Sequence, residues 1–476
     1  MFKTILNYIS KFLPCIVFTL LCIVPIASFP LEGKDVMVLI TFFINAGIFV
    51  FGITYAQLKY PFSIDMMVWT FMYFFMFFAP IVQYLYGVYP WSGAFTDSEC
   101  LFANILISIF SIFFIIGKII AKNIQIKKNP FSGANSHRVV TSRFTYNKTA
   151  QYLLIYVCCG LAAYSLCFTG FGRIVVSRDD ALSVFYKGNN SSIALIIDIV
   201  IPAFLAYCTC EAAQDIGLHK KKENIIFAIL VTCLVITFFP TAIPRYKAAA
   251  IYLTLGIIIF PWVQKHNLFF WAFVLALFFV FPIISSFRHE LDITVIKKIF
   301  NGEFLPAYAR GDYDAYRMLI STLRYVNSSG AVMGKQLAGV LLFFVPSALW
   351  ANKPGGSGSL LITTELGPDA FDNVSCPYIA EGMLNFGIFG IILFALVLGF
   401  IDQTCDRLYW EDGKGTRKFA PYLFVIFLLF FLMRGDLLSS YAYLIGFIAV
   451  GVMLKIFRPA STKKKERYER YNDRYQ

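Results

Sequence analysis

Charge is scarce in this sequence. Asp, Glu, Lys and Arg make up 14% of its 476 residues, against about 25% in a soluble globular chain. With 58% hydrophobic residues, this shortage excludes a soluble enzyme, a disordered chain and a nucleic-acid-binding domain. Histidine is rare, at 4 residues. The 11 cysteines include no C-x-x-C pair and sit mostly in apolar runs, as at Cys22, Cys158, Cys159 and Cys233. They read as small buried residues, with no disulfide framework and no metal site. Walker A, H-E-x-x-H and G-x-S-x-G motifs are all missing, so ATP hydrolysis, zinc proteolysis and serine hydrolysis have no support. No cofactor is expected.

Long apolar runs are what the chain has in abundance. Phe 52 and Tyr 27 supply most of its 18% aromatic content, which suits lipid-facing surfaces and interfacial belts. A crossing helix needs about 20 mostly apolar residues. Candidate runs lie near 12–29, 35–56, 66–88, 100–121, 151–169, 192–213, 224–241, 248–264, 267–286, 382–402, 419–433 and 439–457. The expected fold is therefore an all-α polytopic membrane protein of about 12 transmembrane helices. The first run lacks a small-residue cleavage site and is followed by further spans, so no cleavable signal peptide is expected. Much of the net charge of +13 lies in basic patches at 122–148, 220–222 and 407–418 and in the tail after Lys455. These fall on one side with both termini, and the positive-inside rule makes that side the cytoplasm. The parity holds only if the short run Leu337 to Trp350, which carries Pro346, does not cross and is re-entrant or interfacial. Four regions follow: a bundle at 1–286, a large external loop domain at 287–380 with helical and re-entrant segments, terminal membrane helices at 381–457, and a basic cytoplasmic tail at 458–476.

Arginines on the outer face depart from the positive-inside rule. Arg173, Arg178, Arg245, Arg288, Arg310, Arg317, Arg324 and Arg434 all fall on the expected external side. Arginine suits bidentate recognition of phosphate or carboxylate. Arg310, Arg317 and Arg324 are seven residues apart, a spacing that places all three on one side of a helix. Asp314 stands four residues after Arg310 and is placed to pair with it. Tyr316, Leu319, Ile320 and Leu323 would dock the opposite side of that helix on the bundle. For any single arginine, headgroup snorkelling or a structural ion pair competes evenly with ligand binding. Arg245, in a short turn, and Arg434, at a helix end, are boundary charges and functional candidates. A cationic outer cavity implies an anionic ligand, and a lipid-linked pyrophosphate fits that depth best. His289 alone among the histidines is external and could remove a proton from an acceptor hydroxyl, with Glu290, Asp312 and Asp314 as rival bases. The triplet Asp97-Ser98-Glu99 and the Arg-Gly-Asp triplets at 310–312 and 434–436 are weak signals and are set aside.

The stretch Phe343-Phe344-Val345-Pro346-Ser347-Ala348-Leu349-Trp350-Ala351-Asn352-Lys353-Pro354 resembles the F-x-P-x-x-x-W-x-x-K/R-P segment of Wzy-type O-antigen polymerases. Glu381-Gly382-Met383-Leu384-Asn385-Phe386-Gly387 resembles the helix start after that family's large external loop, and Arg245, Arg288, Arg310 with Asp312, and Arg434 match further positions. The resemblance implies a GT-C-like, metal-independent glycosyltransferase that polymerises undecaprenyl-pyrophosphate-linked oligosaccharide repeat units into O-antigen. It would do so at the outer face of the bacterial inner membrane, with membrane lipid and a chain-length regulator as partners and no nucleic acid. It makes His289, Arg310 and Asp312 the catalytic candidates. Arg178, Arg245, Arg288, Arg317, Arg324, Lys353, Glu381 and Arg434 are the substrate-binding candidates, with Arg317 and Arg324 either holding donor glycan or bracing the loop. An O-antigen ligase and a lipid-linked oligosaccharide flippase remain alternatives.

Overall fold

A computed structural model describes residues 2–128, 148–170, 195–214, 221–240, 243–264, 267–281, 305–309, 311–370, 374–412 and 420–456. Among these residues every regular element is helical, the form in which a single segment satisfies its own backbone hydrogen bonds inside hydrocarbon. The helices are α1 (Phe2–Ser28), α2 (Val36–Lys59), α3 (Ile64–Tyr86), α4 (Asp97–Lys128), α5 (Lys148–Thr169), α6 (Ile196–Gln214), α7 (Lys221–Thr237), α8 (Arg245–Ile259), α9 (Leu268–Val280), α10 (Ala315–Ser329), α11 (Lys335–Leu341), α12 (Ser357–Leu366), α13 (Tyr378–Arg407), α14 (Ala420–Arg434) and α15 (Leu437–Ile456). Six of them, α2, α3, α4, α6, α13 and α15, are long and apolar enough to cross a membrane, and α1, α5, α7, α9 and α14 are shorter and apolar. The chain is a multi-pass membrane protein. The run expected at 248–264 stops being α-helical at Ile259, where Pro261 ends the hydrogen-bond ladder and opens a 3₁₀ turn.

The chain divides into two compact units. The first comprises Met1–Ser136, Phe260–Asp412 and Val425–Leu444, and the second His137–Ile259, Gly413–Phe424 and Ile445–Gln476. In the first unit α3 is the centre. It is apolar all round and buried on every side, as such a helix must be. Its five consecutive residues Phe74–Phe78 form a π-helical turn, and its rings pack outward: Phe74 edge-to-face with Phe278, Phe78 edge-to-face with Tyr308, and Phe75 stacked on Tyr313. The start of α3 is held by other carboxylates and hydroxyls. Ser63 Oγ accepts from Met66 N at 3.1 Å, and Asp406 accepts from Ile64 N at 2.9 Å. Lys118 pairs with Asp65 and lies 3.5 Å from Asp402, so the buried carboxylates at this end of the unit have a cation among them.

Helix α13 is not straight. Phe386 (φ −141°) and Gly387 (φ 62°, ψ −145°) break its helical backbone. Tyr378 Oη donates to the Phe394 carbonyl at 3.3 Å, although 16 helical residues would put them about 24 Å apart. The segment 378–385 therefore folds back against 388–407. This corrects the expected unbroken span 382–402, whose first residues belong to the folded-back arm. The reason is steric. Gly382 and Gly390 touch backbone to backbone, a Cβ on Gly390 falling 1.9 Å from the Gly382 carbonyl, and only glycine enters the Gly387 conformation readily. A second close approach joins the long arm to α4, where Gly117 and Gly399 let the two backbones meet.

The large loop is partly helical. Helix α10 packs on α4, α12 and α13, with Tyr316, Leu319, Ile320 and Leu323 buried, so the expected docking face is present. Arg317 and Arg324 lie on α10, but it begins at Ala315. The helix therefore carries two of the three arginines expected on it, and Arg310 lies outside the described residues. A 3₁₀ turn at Gly311–Tyr313 interrupts the stretch before α10, and Gln83 Nε2 donates to the carbonyls of Tyr308 and Tyr313 at 2.8 and 2.9 Å. After α11, at 7 residues far too short to cross, the run to Trp350 continues as turns.

The second unit packs α5, α6 and α7 together and α8 on α6. Lys247 of α8 pairs with Asp198 of α6 at 2.7 Å, and Tyr207, Phe424 and Phe447 form an aromatic cluster.

Gly387→Ala is expected to lower the stability of the detergent-solubilised protein by about 1–3 kcal/mol, because the mirror-image backbone region strains any Cβ. Gly47→Ala, whose added methyl meets nothing within 4 Å, should melt at or above the wild-type temperature. Equal melting of the two variants would remove the steric account of the fold-back.

Candidate functional site

Asp314 is the junction of the outer-loop residues with the first unit. It precedes α10, yet its side chain does not cap that helix. Its carboxylate accepts instead from Ser375 Oγ at 2.6 Å, Ser375 N at 3.1 Å and Trp91 Nε1 at 3.1 Å. Three donors meet its oxygens in a place where it is almost wholly buried. Facing it is Arg434, the last residue of α14. Its Nη2 lies 3.5 Å from Asp314 Oδ1 and 3.7 Å from Asp312 Oδ1. Both distances exceed the about 2.7–2.9 Å of a charge-assisted hydrogen bond. Arg434 Nε is buried without a hydrogen-bond partner, and the guanidinium carbon sits 5.9 Å from the centre of the Phe75 ring. The cation is thus fixed in place, partly exposed and not saturated with acceptors.

The turn behind Arg434 explains how it is held. Asp436 accepts from Leu438 N at 2.9 Å, at the start of α15, and from Gly358 N at 3.1 Å, at the start of α12. Two helix N-termini therefore converge on one carboxylate. A Cβ on Gly356 would lie 2.7 Å from that carboxylate, so the α12 lead-in must be glycine to come so close. Burial pushes the Asp436 carboxyl up from its usual value, against the pull of these donors. Glu381, fully buried on the folded-back arm, accepts from Ser357 Oγ at 2.9 Å and Leu437 N at 3.2 Å. Asn385 of the same arm donates to the Glu381 carbonyl and accepts from Leu337 N at 2.9 Å. The residues from Glu381 to Gly387 therefore tie α11, α12 and α15 together.

The remaining described candidates are placed as follows. Arg317 is fully buried, 3.1 Å from Glu365 and donating to Ser321 Oγ at 2.9 Å, while its Nε and Nη2 have no hydrogen-bond partner. Burial pushes its guanidinium down, but an arginine stays charged in a protein. Arg324 donates to Glu99 at 2.9 Å and to the Ala94 carbonyl at 2.7 Å, and lies 3.3 Å from Glu365. The hydrogen bond that Arg324 donates to Glu99 pushes its guanidinium above the ordinary value. Both arginines are engaged with protein carboxylates, and Phe95 packs under both guanidinium groups. Lys353 donates to the carbonyls of Phe343 and Val345 at 2.6 and 2.9 Å, closing the turn that carries the Pro-Trp-Lys-Pro motif. Arg245 starts α8 in the second unit and is exposed. Arg178, Arg288, His289 and Arg310 lie outside the described residues. Among the described residues no group of three or more His, Cys, Asp or Glu is placed to hold a metal ion.

Asp312, Asp314 and Arg434 are thus brought together from positions that the sequence separates widely, whereas Arg317 and Arg324 are engaged elsewhere. Sequence reasoning missed Glu365, Trp91 and Ser375. Glu365 carries no motif, Trp91 lies in a loop far upstream, and Ser375 is an ordinary serine in sequence. The Asp97–Glu99 triplet is structural: Asp97 accepts from Tyr84 Oη at 2.7 Å, and Glu99 holds Arg324 and Thr96.

If Glu365 neutralises Arg317, Glu365→Gln should cost about 3 kcal/mol by leaving a buried charge without its partner. The double variant Arg317→Met with Glu365→Met should recover most of that loss in thermal melts. A coupling under about 0.5 kcal/mol would remove the bracing role.

No curated protein and no solved structure matches the chain. A family model does. It covers a range that holds Ser375, Glu381, the Gly387 reversal, Arg434 and Asp436, and leaves out Lys353 and the motif around it. Residues 374–466 match the model described as O-antigen polysaccharide polymerase Wzy, and this match supports the Wzy-type polymerase family for the chain.

Proposed function

We infer that the protein polymerises undecaprenyl-pyrophosphate-linked oligosaccharide repeat units into O-antigen or a similar surface polysaccharide. The reaction takes place at the outer face of the bacterial inner membrane, with both termini in the cytoplasm, about twelve crossings and the 287–380 region as an external roof. The observation that carries this reading is Arg434: a guanidinium pinned at a helix end between Asp312 and Asp314, with contacts longer than hydrogen bonds and a buried Nε left over. A fixed cation of this kind at a helix boundary suits a pyrophosphate whose lipid tail remains in the bilayer.

In the reaction, an acceptor sugar hydroxyl oxygen forms a bond to the anomeric carbon of the donor glycan. The carbon–oxygen bond to undecaprenyl pyrophosphate breaks, and its electron pair leaves on the pyrophosphate. Fixed cations stabilise that developing charge without a metal. Arg434, Arg288 and Arg310 are assigned to the pyrophosphate; Arg245 and Arg178 are kept as substrate-binding candidates. The hydroxyl proton passes to a base, for which His289 and Asp312 are the candidates. Asp312, 3.7 Å from Arg434, also orients the cation. Arg317, Arg324, Lys353 and Glu381 keep the roof and its supports in place. A chain-length regulator is the expected protein partner.

The test is the surface polysaccharide ladder of a strain lacking the gene, run beside its extracted lipid-linked intermediates. Core carrying a single repeat unit is the expected result. Long chains that stay on the lipid carrier would indicate a ligase instead, and single units trapped on the cytoplasmic leaflet a flippase. Complementation with Arg434→Ala should reduce polymerisation by about 100-fold or more at wild-type protein level, as removal of one preorganised charge-stabilising donor does. Arg434→Lys should recover little of it if the planar fork matters. Arg310→Ala is expected to abolish polymer in the same assay, and a normal ladder from either alanine variant overturns that residue's role.

A further inference from the structure

Trp91 is held in an unusual way that the reaction chemistry does not use. Its backbone is left-handed, at φ 55° and ψ 36°, a conformation that a bulky residue adopts only under constraint. The indole N–H is spent on Asp314, and Gly311 leaves room for the ring edge, since a Cβ there would lie 2.5 Å from Trp91 Cζ2. Nevertheless the side chain is only half-buried. Trp91 lines a cavity of about 440 Å³ whose other walls are Ile362, Leu366 and the turn Gly367-Pro368-Asp369-Ala370. Small-molecule sites commonly span about 300–1,000 Å³.

The cavity combines an aromatic ring, aliphatic side chains and an exposed carboxylate, Asp369. A sugar offers the matching chemistry. One face of a pyranose presents C–H groups that pack on the electron-rich face of an indole, and its hydroxyls donate to carboxylates and carbonyls. The position also fits. Asp314 receives the Trp91 indole N–H on one oxygen and faces the Arg434 guanidinium with the other. One carboxylate therefore separates the cavity wall from the cation assigned to pyrophosphate.

We propose that this cavity is a sugar subsite, in which a repeat-unit sugar packs against the Trp91 indole and its hydroxyls meet Asp369. The assignment rests on the polymerase reading for the identity of the glycan, and the pinned indole makes the subsite rigid before substrate arrives.

The test uses the full-length protein in nanodiscs and the oligosaccharide released by mild acid from the lipid-linked pool of the same strain. Saturation-transfer NMR should show sugar protons in contact with the wild-type protein. Trp91→Ala should weaken binding about fivefold or more, while Trp91→Phe, which keeps an aromatic face, stays within about twofold. Ala370→Trp fills the cavity from its opposite wall without touching the Trp91–Asp314 bond, and should abolish the signal in a protein that still melts normally. Equal losses for Trp91→Ala and Trp91→Phe would assign Trp91 to the Asp314 bond alone and overturn the subsite. Absence of wild-type contact, or full binding by Ala370→Trp, overturns it as well. Polymerisation of lipid-linked repeat units is measured on the same samples. Wild-type protein that makes no polymer but binds the oligosaccharide through this cavity removes the polymerase reading and leaves the subsite. Polymer made by Ala370→Trp with unchanged KM does the reverse.

Discussion

The carboxylate of Asp314 is the contact on which the site depends. A buried charge must be met by donors, and here the donors come from distant parts of the chain: the Trp91 loop, the Ser375 lead-in to α13, and Arg434 at the end of α14. One residue thus sets the position of an aromatic wall, the start of the folded-back arm and a cation. The arrangement has an internal logic. Backbone and hydroxyl donors stabilise the anion, so the arginine is left with long contacts and spare hydrogen-bonding capacity.

The second constraint is steric. The fold-back at Phe386–Gly387 is possible because Gly382 and Gly390 bring two backbones into contact, and it delivers Glu381 and Asn385 to the ends of three other helices. Lipid tails are as apolar as the helices themselves, so association inside a membrane rests on close packing and internal hydrogen bonds. The glycine contacts supply the first and the Glu381–Asn385 segment the second. The family-like motif from Glu381 to Gly387 thus has a clear place in the architecture.

The arginines divide by partner. Arg317 and Arg324 share Glu365, and Arg324 also holds Glu99, so their charge is consumed in fastening α10 to the unit. Arg434 has carboxylates near it but no tight pair. At the opposite end of the first unit, Lys118 sits among Asp65 and Asp402, a cluster that secures helix ends.

Membrane class, the helical character of the apolar runs and the amphipathic face of α10 were all legible in the sequence, because each depends on composition or on spacing along one segment. Periodicity also suggested a heptad of three arginines. Only Arg317 and Arg324 share α10, which begins at Ala315 after a 3₁₀ turn at Gly311–Tyr313, a stretch whose Tyr308 and Tyr313 carbonyls accept from Gln83 of the packed bundle. Counting apolar residues made 382–402 a single span, because a reversal built from glycine contacts leaves no trace in hydropathy. The pairing of Arg317 with Glu365, and the meeting of Trp91, Asp314, Ser375 and Arg434, join residues tens to hundreds of positions apart. Only the tertiary structure could decide these, because a buried charge is neutralised by whichever partner the packing brings within reach, and sequence distance has no bearing on that.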